Sequence, residues 1–352
     1  MWNFLISVGR IAMGRVVTFG EIMLRLSPPG NERFVQSRTF CAIYAGGEAN
    51  VAVSLAGFGM HACFVTKLPR HEVAQAAVNE LRRYGVDTEF VVRGGDKLGV
   101  FFCENGASQR PSKVIYDRAH SALAEACPQD FDWPKILAGA GWYHFTGITP
   151  ALSDGCASLC MDAVKAARRA GATVSVDLNY RGKLWNSEKA GRVMDGLARL
   201  CDVIIANEED AEKVFGIKAD TTDIAAGRLS GEGYAKVAVE LQKRFGARFV
   251  AITLRESRSA SDNGWSALLY DGTDFYRSRK YDIHIVDRVG GGDAFAGGLI
   301  YGLSSGMAPQ RALEFAVGAS CLKHTIQGDF NMVSLDEVET LLKGDASGRV
   351  QR

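Results

Sequence analysis

The sequence carries almost no net charge, because 41 lysines and arginines are balanced by 40 aspartates and glutamates, which leaves +1. This balance gives no bulk attraction to nucleic acid or to an anionic membrane surface, so neither is predicted as a partner. Internal repeats, low-complexity tracts and linker-like stretches are also lacking. The 352 residues are 47% hydrophobic and 23% charged, which is typical of a globular protein with a large core.

Cysteine pairing motifs are missing as well. The eight cysteines include no Cys-x-x-Cys pair, and no histidine lies near Cys156 and Cys160 to complete a metal site. We therefore predict buried, reduced thiols rather than disulfides or zinc ligands, and a cytoplasmic protein. The eight residues are Cys41, Cys63, Cys103, Cys127, Cys156, Cys160, Cys201 and Cys321.

The first residues show neither a signal peptide nor a membrane span. Their apolar run is short and has no basic residue before it. Met13 directly precedes the first strand-like segment, so we expect native translation to begin there and residues 1–13 to be an extension outside the fold. Residues 14–343 are predicted to form one domain, followed by a tail over 344–352.

Short apolar segments alternate with helical patterns along most of the chain, which predicts βαβ units and a mostly parallel, doubly wound sheet. Residues 21–44 and 97–120 alternate differently and are predicted to form a small β lid outside that sheet. The predicted strands are Arg15–Gly20, Ala62–Lys67, Trp142–Thr146, Thr173–Asp177, Val203–Ala206 and Phe249–Leu254, with a hairpin of Trp265–Tyr270 and Asp274–Arg279. The predicted helices are Val73–Tyr84, Asp154–Ala170, Glu188–Leu200, Glu208–Phe215 and Tyr234–Phe245.

Polar clusters follow three of these strands. They are Asp177–Arg181, Asn207–Asp210 and Asp287–Asp293. In doubly wound sheets, ligands bind beyond the carboxyl ends of the strands, where such clusters meet. The sequence therefore predicts one functional site at this edge.

The most informative stretch is Asp287–Phe295, in which three glycines precede a helix of small residues. Glycines permit a tight turn and close approach to a ligand, and a helix start presents free amides to an anion. An aspartate at the mouth of such an anion site is explained if Asp293 accepts a proton from an alcohol that attacks a bound phosphoryl group. Taken alone, the stretch also fits a glycine-rich turn with an aspartate cap.

A second glycine pair, Gly46-Gly47, opens another helix of small residues that includes Asn50. Backbone must approach something closely at the start of this helix. The partner is either a ligand or a neighbouring element of the core, and the sequence leaves both readings open.

Together these features resemble the ribokinase-like (PfkB) family of carbohydrate kinases, over essentially residues 14–343. Gly46-Gly47 with Asn50 matches one family signature, and the Asp-x-x-Gly-x-Gly-Asp pattern at Asp287–Asp293 matches the other. Further stretches are similar to the 2-keto-3-deoxygluconate kinases of that family. They are Gly20–Leu26, Tyr116–Arg118, Asn179–Trp185, Asp287–Asp293 and Gly328–Asn331.

The resemblance implies a three-layer α/β fold with a β lid, and transfer of phosphate from ATP, with Mg²⁺, to the C6 hydroxyl of 2-keto-3-deoxygluconate. It implies that Asp293 is the general base and that the amides of Gly290, Gly291 and Gly292 form the anion hole. Gly46, Gly47 and Asn50 match the sugar-binding signature. The family leaves monovalent-cation activation open, and a dimer formed through the lid is expected from its exposed sheet edge.

A sugar acid requires a cation that binds its carboxylate. Arg118 and Arg181 resemble arginines used in this way, and Tyr116 resembles a lid tyrosine that contacts the sugar. Ordinary surface arginines are the alternative. Phe101 stands where these kinases often have tyrosine, which leaves the choice between gluconate and galactonate stereochemistry open.

The nucleotide side is less distinctive. Asn207 and Asp210 match an Asn-x-x-Glu motif near magnesium, with aspartate in place of the usual glutamate, and an acidic helix start is the alternative. Thr253, Arg255 and Lys323 are predicted to border the nucleotide, or else to serve packing or surface roles.

Other functions are compatible with the same motifs. A fructokinase or another sugar kinase of the family is the main alternative, followed by a catalytically silent sugar-binding protein. A Rossmann dehydrogenase is excluded because its glycine-rich turn belongs to the first βα unit, whereas this one lies late in the chain.

Overall fold

The computed structural model describes residues 14–207, 209–219 and 231–344. The predicted extension, residues 1–13, lies outside the described residues, as do Glu208 and nearly all of the predicted tail, residues 345–352. No helix in the described part of the chain is both long and apolar enough to cross a membrane.

Fourteen strands form in the described ranges, and they belong to two sheets. The strands are β1 Arg15–Phe19, β2 Met23–Ser27, β3 Cys41–Ala45, β4 Ala62–Leu68, β5 Val91–Arg93, β6 Val100–Glu104, β7 Lys113–Asp117, β8 Ala140–Thr146, β9 Thr173–Asp177, β10 Val203–Ala206, β11 Phe249–Ser257, β12 Asp262–Tyr270, β13 Phe275–Arg277 and β14 Tyr281–His284.

Eleven α-helices lie in the same described ranges. They are α1 Gly47–Gly57, α2 Glu72–Arg83, α3 Trp133–Leu137, α4 Ile148–Ala151, α5 Asp154–Arg169, α6 Ser187–Ala198, α7 Asp210–Phe215, α8 Gly231–Phe245, α9 Gly291–Ser304, α10 Pro309–Lys323 and α11 Leu335–Leu342.

The large sheet has the strand order β13-β12-β11-β10-β9-β8-β1-β4-β5, and β14 pairs with β12. From β11 to β5 the neighbouring strands are parallel, whereas β12 pairs antiparallel with β11, β13 and β14. The central strands are buried on both faces, as apolar strands covered by helices must be. The predicted fold class is confirmed.

The small sheet has the strand order β3-β2-β6-β7 and is formed by residues from the two ranges predicted to lie outside the main sheet. β2 pairs antiparallel with β3 and parallel with β6, and β6 pairs antiparallel with β7. One edge strand, β7, is largely exposed. This sheet contributes side chains to the candidate site described below.

Several element boundaries match the sequence pattern closely. β9 and β10 have the predicted limits, and the predicted hairpin forms as β12 and β13. The short strands β5 and β14 were not predicted, because three or four residues are too few to show a period. All eight cysteines are free thiols; six are buried, but Cys41 and Cys127 are exposed, contrary to the prediction for those two.

Candidate active site

A cavity of about 350 Å³ opens at the carboxyl ends of the central strands, between the large sheet and the small one. Most of the site residues predicted from the sequence line it. They are Gly46, Gly47, Asn50, Phe101, Tyr116, Arg118, Arg181, Asn207, Thr253, Arg255, Gly290, Gly292 and Asp293. Segments far apart in the chain are thus brought to one place, as the position of the polar clusters predicted.

Three predicted site residues do not line this cavity: Gly291, Asp210 and Lys323. All three are buried; Gly291 lies between two residues that line the cavity, and Asp210 accepts a hydrogen bond from the Asn207 amide.

A second cavity, of about 700 Å³, lies at the opposite edge of the sheet, where the strands begin. Its charged residues include Arg168 and Asp202, which pair with each other at 2.5 Å. It has no glycine-rich helix start among its lining residues. The smaller cavity is therefore the candidate active site, despite its lower volume.

The glycine turn before α9 is built for close contact. Gly290 caps the helix with φ +83°, and a Cβ there would lie 2.0 Å from the carbonyl oxygen of Asp329. At Gly291 a Cβ would lie 2.4 Å from the His324 ring, whereas at Gly292 it would meet nothing within 4 Å. Gly290 and Gly291 are thus required by packing, while Gly292 leaves space open towards the cavity.

The helix start supplies anion-binding donors. Among the described residues, the amides of Gly290 and Gly292 make no hydrogen bond, while that of Gly291 donates to the Arg288 carbonyl at 3.3 Å. The first amides of a helix carry its positive dipole end. The cavity therefore has a donor pair that suits a phosphoryl group.

Asp293 lies in the first turn of α9 and lines the cavity. Its Oδ2 accepts a hydrogen bond from the Asn50 amide at 2.6 Å, which joins the two sequence signatures. Burial raises the pKa of Asp293 to about 7, although the hydrogen bond from Asn50 opposes the shift. A carboxylate with such a pKa can accept a proton from an alcohol near neutral pH.

The start of α1 is held close to the same place. A Cβ at Gly46 would lie 1.9 Å from the carbonyl oxygen of Glu21, so a larger residue does not fit there. Glu48 is fully buried, and its Oε1 accepts hydrogen bonds from the Thr146 amide at 2.9 Å and the Thr149 hydroxyl at 2.7 Å. These bonds fix α1 against the loop after β8.

The two arginines predicted to bind a carboxylate differ in their surroundings. Arg118 is buried, and its Nε donates to Glu21 Oε2 at 2.8 Å, so its charge is already balanced within the protein. It also lies over the ring of Tyr116, 5.4 Å from the centroid. Arg181 donates to the Tyr180 carbonyl at 3.1 Å and forms no ion pair within the described residues. Of these two arginines, Arg181 is therefore the one available to an acidic ligand.

Behind the cavity floor, Asp210 is held by main-chain amides. Its two carboxylate oxygens accept from Tyr180 and Asn207 at 3.0 and 3.1 Å. Asp177 lines the cavity itself, and burial, followed by the charges of Asp210 and Asp293, raises its pKa well above the usual range. No group of three or more histidine, cysteine or acidic residues in the described ranges could hold a metal ion by itself.

Two basic side chains extend the cavity towards the β11 and β12 side. Arg255 lies 5.4 Å from the ring centre of Trp265, and Arg288 precedes the glycine turn. Within the described part of the chain neither forms an ion pair. The cavity thus has a positive end near the anion-binding amides, which suits a polyphosphate.

Sequence reasoning missed several residues of this cavity. Glu21, Glu48, Arg288 and Asp329 were not assigned roles, although all four line it. Arg288 could have been found, since a basic residue inside a phosphate-binding turn is itself a signal. The acidic partners could not, because Glu21 meets Arg118 across 97 positions of the chain.

A doubly wound α/β fold, an anion-binding helix start and an aspartate poised beside it define a class of protein, the phosphotransferases that act on an alcohol group. The family model for pfkB family carbohydrate kinases matches residues 13–333. The chain belongs to this family and is a carbohydrate kinase.

Individual relatives match the chain over nearly its whole length. The chain is 34% identical to the 2-dehydro-3-deoxygalactonokinase of Haloferax volcanii, covering 95% of this chain and 98% of that one. It is 28% identical to the 2-dehydro-3-deoxygluconokinase of Bacillus subtilis, covering 90% and 91%. The crystal structure of 2-dehydro-3-deoxygluconokinase from Thermotoga maritima superposes with a TM-score of 0.91 at 52% identity, covering 94% and 98%.

Proposed function

We propose that this protein transfers the γ-phosphoryl group of ATP to the C6 hydroxyl of 2-keto-3-deoxygluconate, forming 2-keto-3-deoxy-6-phosphogluconate. The observation that carries the proposal is the position of Asp293, at the anion-binding start of α9 and bonded to Asn50 of the sugar signature. The names of the relatives from Bacillus subtilis and Thermotoga maritima support the same substrate, which is 2-dehydro-3-deoxygluconate in their nomenclature.

In the proposed reaction, the C6 oxygen of the sugar attacks the γ-phosphorus of ATP, and the bond from that phosphorus to the bridging oxygen of ADP breaks. Asp293 accepts the proton of the hydroxyl. The amides of Gly290 and Gly292 face the transferring group and stabilise its charge, as oriented donors do in phosphoryl transfer. Positioning and charge stabilisation supply most of the rate enhancement.

Magnesium fits this site as a companion of ATP rather than as an ion held by the protein alone. Both carboxylate oxygens of Asp210 accept main-chain hydrogen bonds, so it would act through metal-bound water, beside Asn207 and Asp177 at the cavity wall. Mg²⁺ usually keeps several waters and binds to substrate phosphates, which suits such an arrangement. When bound, the ion would neutralise phosphate charge. Arg255 and Arg288 would contribute to the same end of the cavity.

The sugar acid would be recognised at the other end. Arg181 has no internal carboxylate partner among the described residues and lines the cavity, so a bidentate bond to the substrate carboxylate is open to it. Arg118 would instead orient Tyr116 and the small sheet, because Glu21 already balances its charge. Closure of the small sheet, acting as a lid, would exclude water that otherwise hydrolyses ATP.

The galactonate epimer is a specific second candidate, because the relative from Haloferax volcanii is named for it. The ring of Phe101 packs 5.8 Å from that of Tyr116 at the cavity wall and carries no hydroxyl. Phe101 therefore cannot form the hydrogen bond by which a tyrosine there could distinguish the orientation of a sugar hydroxyl. Acceptance of both epimers would follow from it.

A coupled ADP-release assay with ATP and Mg²⁺ tests the proposal. It should compare 2-keto-3-deoxygluconate, its galactonate epimer, fructose, ribose and tagatose. Preference for the two acids is expected, and preference for a neutral sugar would retain the kinase but reject the assignment of Arg181. The proposal also includes a dimer through the edge of the small sheet and a cytoplasmic location, which light scattering and cell fractionation would test.

A further inference from the structure

Lys323 is the last residue of α10, and its side chain is fully buried. Its Nζ donates to the main-chain carbonyls of Asp287, at 3.1 Å, and Ile326, at 3.4 Å. Asp287 begins the turn that leads to Gly290 and Asp293. The ammonium group therefore lies beneath the anion-binding turn and on the side away from the cavity.

The final turn of α10 supports this turn at several points. The Ser320 hydroxyl donates to the Gly291 carbonyl at 2.7 Å, and the His324 carbonyl accepts from the Val286 amide at 2.9 Å. The bonds from Lys323 and Ser320 direct the carbonyl oxygens of Asp287 and Gly291 towards α10, and the bond to the His324 carbonyl anchors the start of the turn. Peptide geometry then leaves amides of the same turn directed towards the cavity.

Buried charges around Lys323 balance one another. Arg25 pairs with Asp287 at 2.8 Å and also with Asp329, and all four side chains are buried. Two cations thus face two anions in a space closed to water. Removal of the lysine would leave one uncompensated negative charge directly behind the place where phosphate binds.

We propose that the Lys323 ammonium is a built-in cation that holds the anion-binding turn in its phosphate-receiving form, so that this kinase needs no bound monovalent cation. A potassium ion beneath such a turn would supply a positive charge and bonds to carbonyl oxygens. The Lys323 ammonium group supplies the same charge and the same kind of bonds, and its side chain attaches it permanently to the protein. Lys323 is thus a positioning residue, and the proposal rests on the phosphotransfer proposed above only for its activity readout.

The wild-type enzyme gives the first test. At constant ionic strength, its turnover and its KM for ATP are expected to be the same in potassium, sodium and tetramethylammonium chloride. Strong activation by potassium would overturn the proposal. This salt series uses only the wild-type enzyme, so it tests the proposal even if a substitution at position 323 prevents folding.

Two substitutions give the second test. Lys323→Ala opens a space that a small cation can enter, and Lys323→Met fills much of it with an apolar chain. Both are expected to weaken binding of ATP by roughly 10-fold or more, because a charge-assisted contact and the charge balance are lost. Ammonium or potassium ions should restore binding to Lys323→Ala but not to Lys323→Met. Equal rescue of both variants, or of neither, would contradict a tethered cation.

Calorimetric binding of a non-hydrolysable ATP analogue without sugar separates this proposal from the proposed function. If no sugar is phosphorylated but binding follows the pattern above, the substrate assignment fails and the role of Lys323 stands. Lys67→Met is the matched control, since Lys67 is a largely buried lysine paired with Asp130 at 2.7 Å outside the cavity. It should leave nucleotide affinity unchanged in every salt.

Discussion

Two walls of the cavity are held in place by different means. We call residues 287–293 the catalytic wall, after the role proposed for Asp293. It is fixed by Gly290 against the Asp329 backbone, by Gly291 against the His324 ring and by the buried ion pair of Arg25 with Asp287. We call Tyr116, Arg118 and Arg181 the recognition wall, after the proposed contact with the sugar acid, and Tyr116 is exposed on the small sheet. Its arginines differ, since one is paired with Glu21 and the other has no carboxylate partner in the described residues.

In the proposed function, this difference separates the residues of the catalytic step from those that select the substrate. On the catalytic wall, a donor or carboxylate has to stay in one place, because transition-state stabilisation depends on fixed geometry. On the recognition wall, an arginine without an internal ion pair contributes most to binding affinity when the ligand carries a negative charge. Substitutions on the two walls should therefore change different properties of the enzyme. The following predictions are ordered from the largest expected effect to the smallest.

Asp293→Asn should have the largest effect on turnover. The amide cannot accept the hydroxyl proton, so kcat is expected to fall by roughly 10²–10⁴-fold. ATP and sugar should still bind, as calorimetry would show. The exposed Asp274 gives a matched control, and Asp274→Asn should behave as the wild type. Turnover retained in Asp293→Asn would remove this residue from the mechanism.

Arg118→Ala should mainly reduce stability. It leaves Glu21 buried without its cation, a change that typically costs about 3–5 kcal/mol in the free energy of unfolding. Denaturant unfolding would measure the loss. Adding Glu21→Gln to the same variant should restore part of it, since the unpaired charge is then gone. A stable Arg118→Ala that loses only affinity for acids would make Arg118 a second ligand-binding arginine.

Gly290→Ala and Gly292→Ala form a pair within the catalytic wall. The first puts a Cβ against the Asp329 carbonyl at φ +83°, and the left-handed conformation alone costs about 1–2 kcal/mol in unfolding free energy. The second meets open space, so its stability should be unchanged while its KM for ATP rises. Equal stability of the two variants would show that the turn is not held by this contact.

Arg181→Ala tests the recognition wall directly. Loss of a charge-assisted bond to the substrate carboxylate should lower kcat/KM for 2-keto-3-deoxygluconate by roughly 10–100-fold. Fructose has no carboxylate, so any residual activity with it should change little. Equal losses for the acid and the neutral sugar would contradict carboxylate recognition by Arg181.

Asn50→Ala should have the smallest effect, on the pH dependence. The Asn50 amide stabilises the ionised form of Asp293, whose pKa is about 7, so its removal should raise that pKa further, by about half to one unit. Because the deprotonated form is the active one in the proposed reaction, the acid limb of the kcat/KM profile should move to higher pH. Asn79→Ala, on the exposed side of α2, is the control. An unmoved limb would mean that another group sets it.

The fold class and the position of the cavity could be predicted from the sequence, because both depend on patterns of neighbouring residues. The alternation of strands and helices predicted the fold class, and polar residues after β9 and β10 predicted the edge that holds the cavity. The two glycine signatures predicted close approach of backbone, and the structure identifies what they approach: the Glu21 carbonyl at Gly46 and the Asp329 carbonyl at Gly290.

Contacts between distant segments could not be predicted. The partner of Arg118 lies 97 positions away, so no local pattern ranks Arg118 below Arg181 as a carboxylate-binding residue. Lys323 was placed beside the nucleotide, but its ammonium group is buried behind the turn, bound to main-chain carbonyls that no residue pattern encodes. Such details depend on packing of α10 against the turn and need the three-dimensional structure.

The most direct test of the central claim is phosphorus NMR of the product formed by the wild-type enzyme from ATP and 2-keto-3-deoxygluconate. A single phosphomonoester coupled to the C6 methylene protons is predicted, and it should form at least about 10²-fold more slowly when Asp293→Asn replaces the wild type. Phosphate on another oxygen, or release of free phosphate without a sugar product, would contradict a cavity that positions the C6 hydroxyl between Asp293 and the bound phosphoryl group.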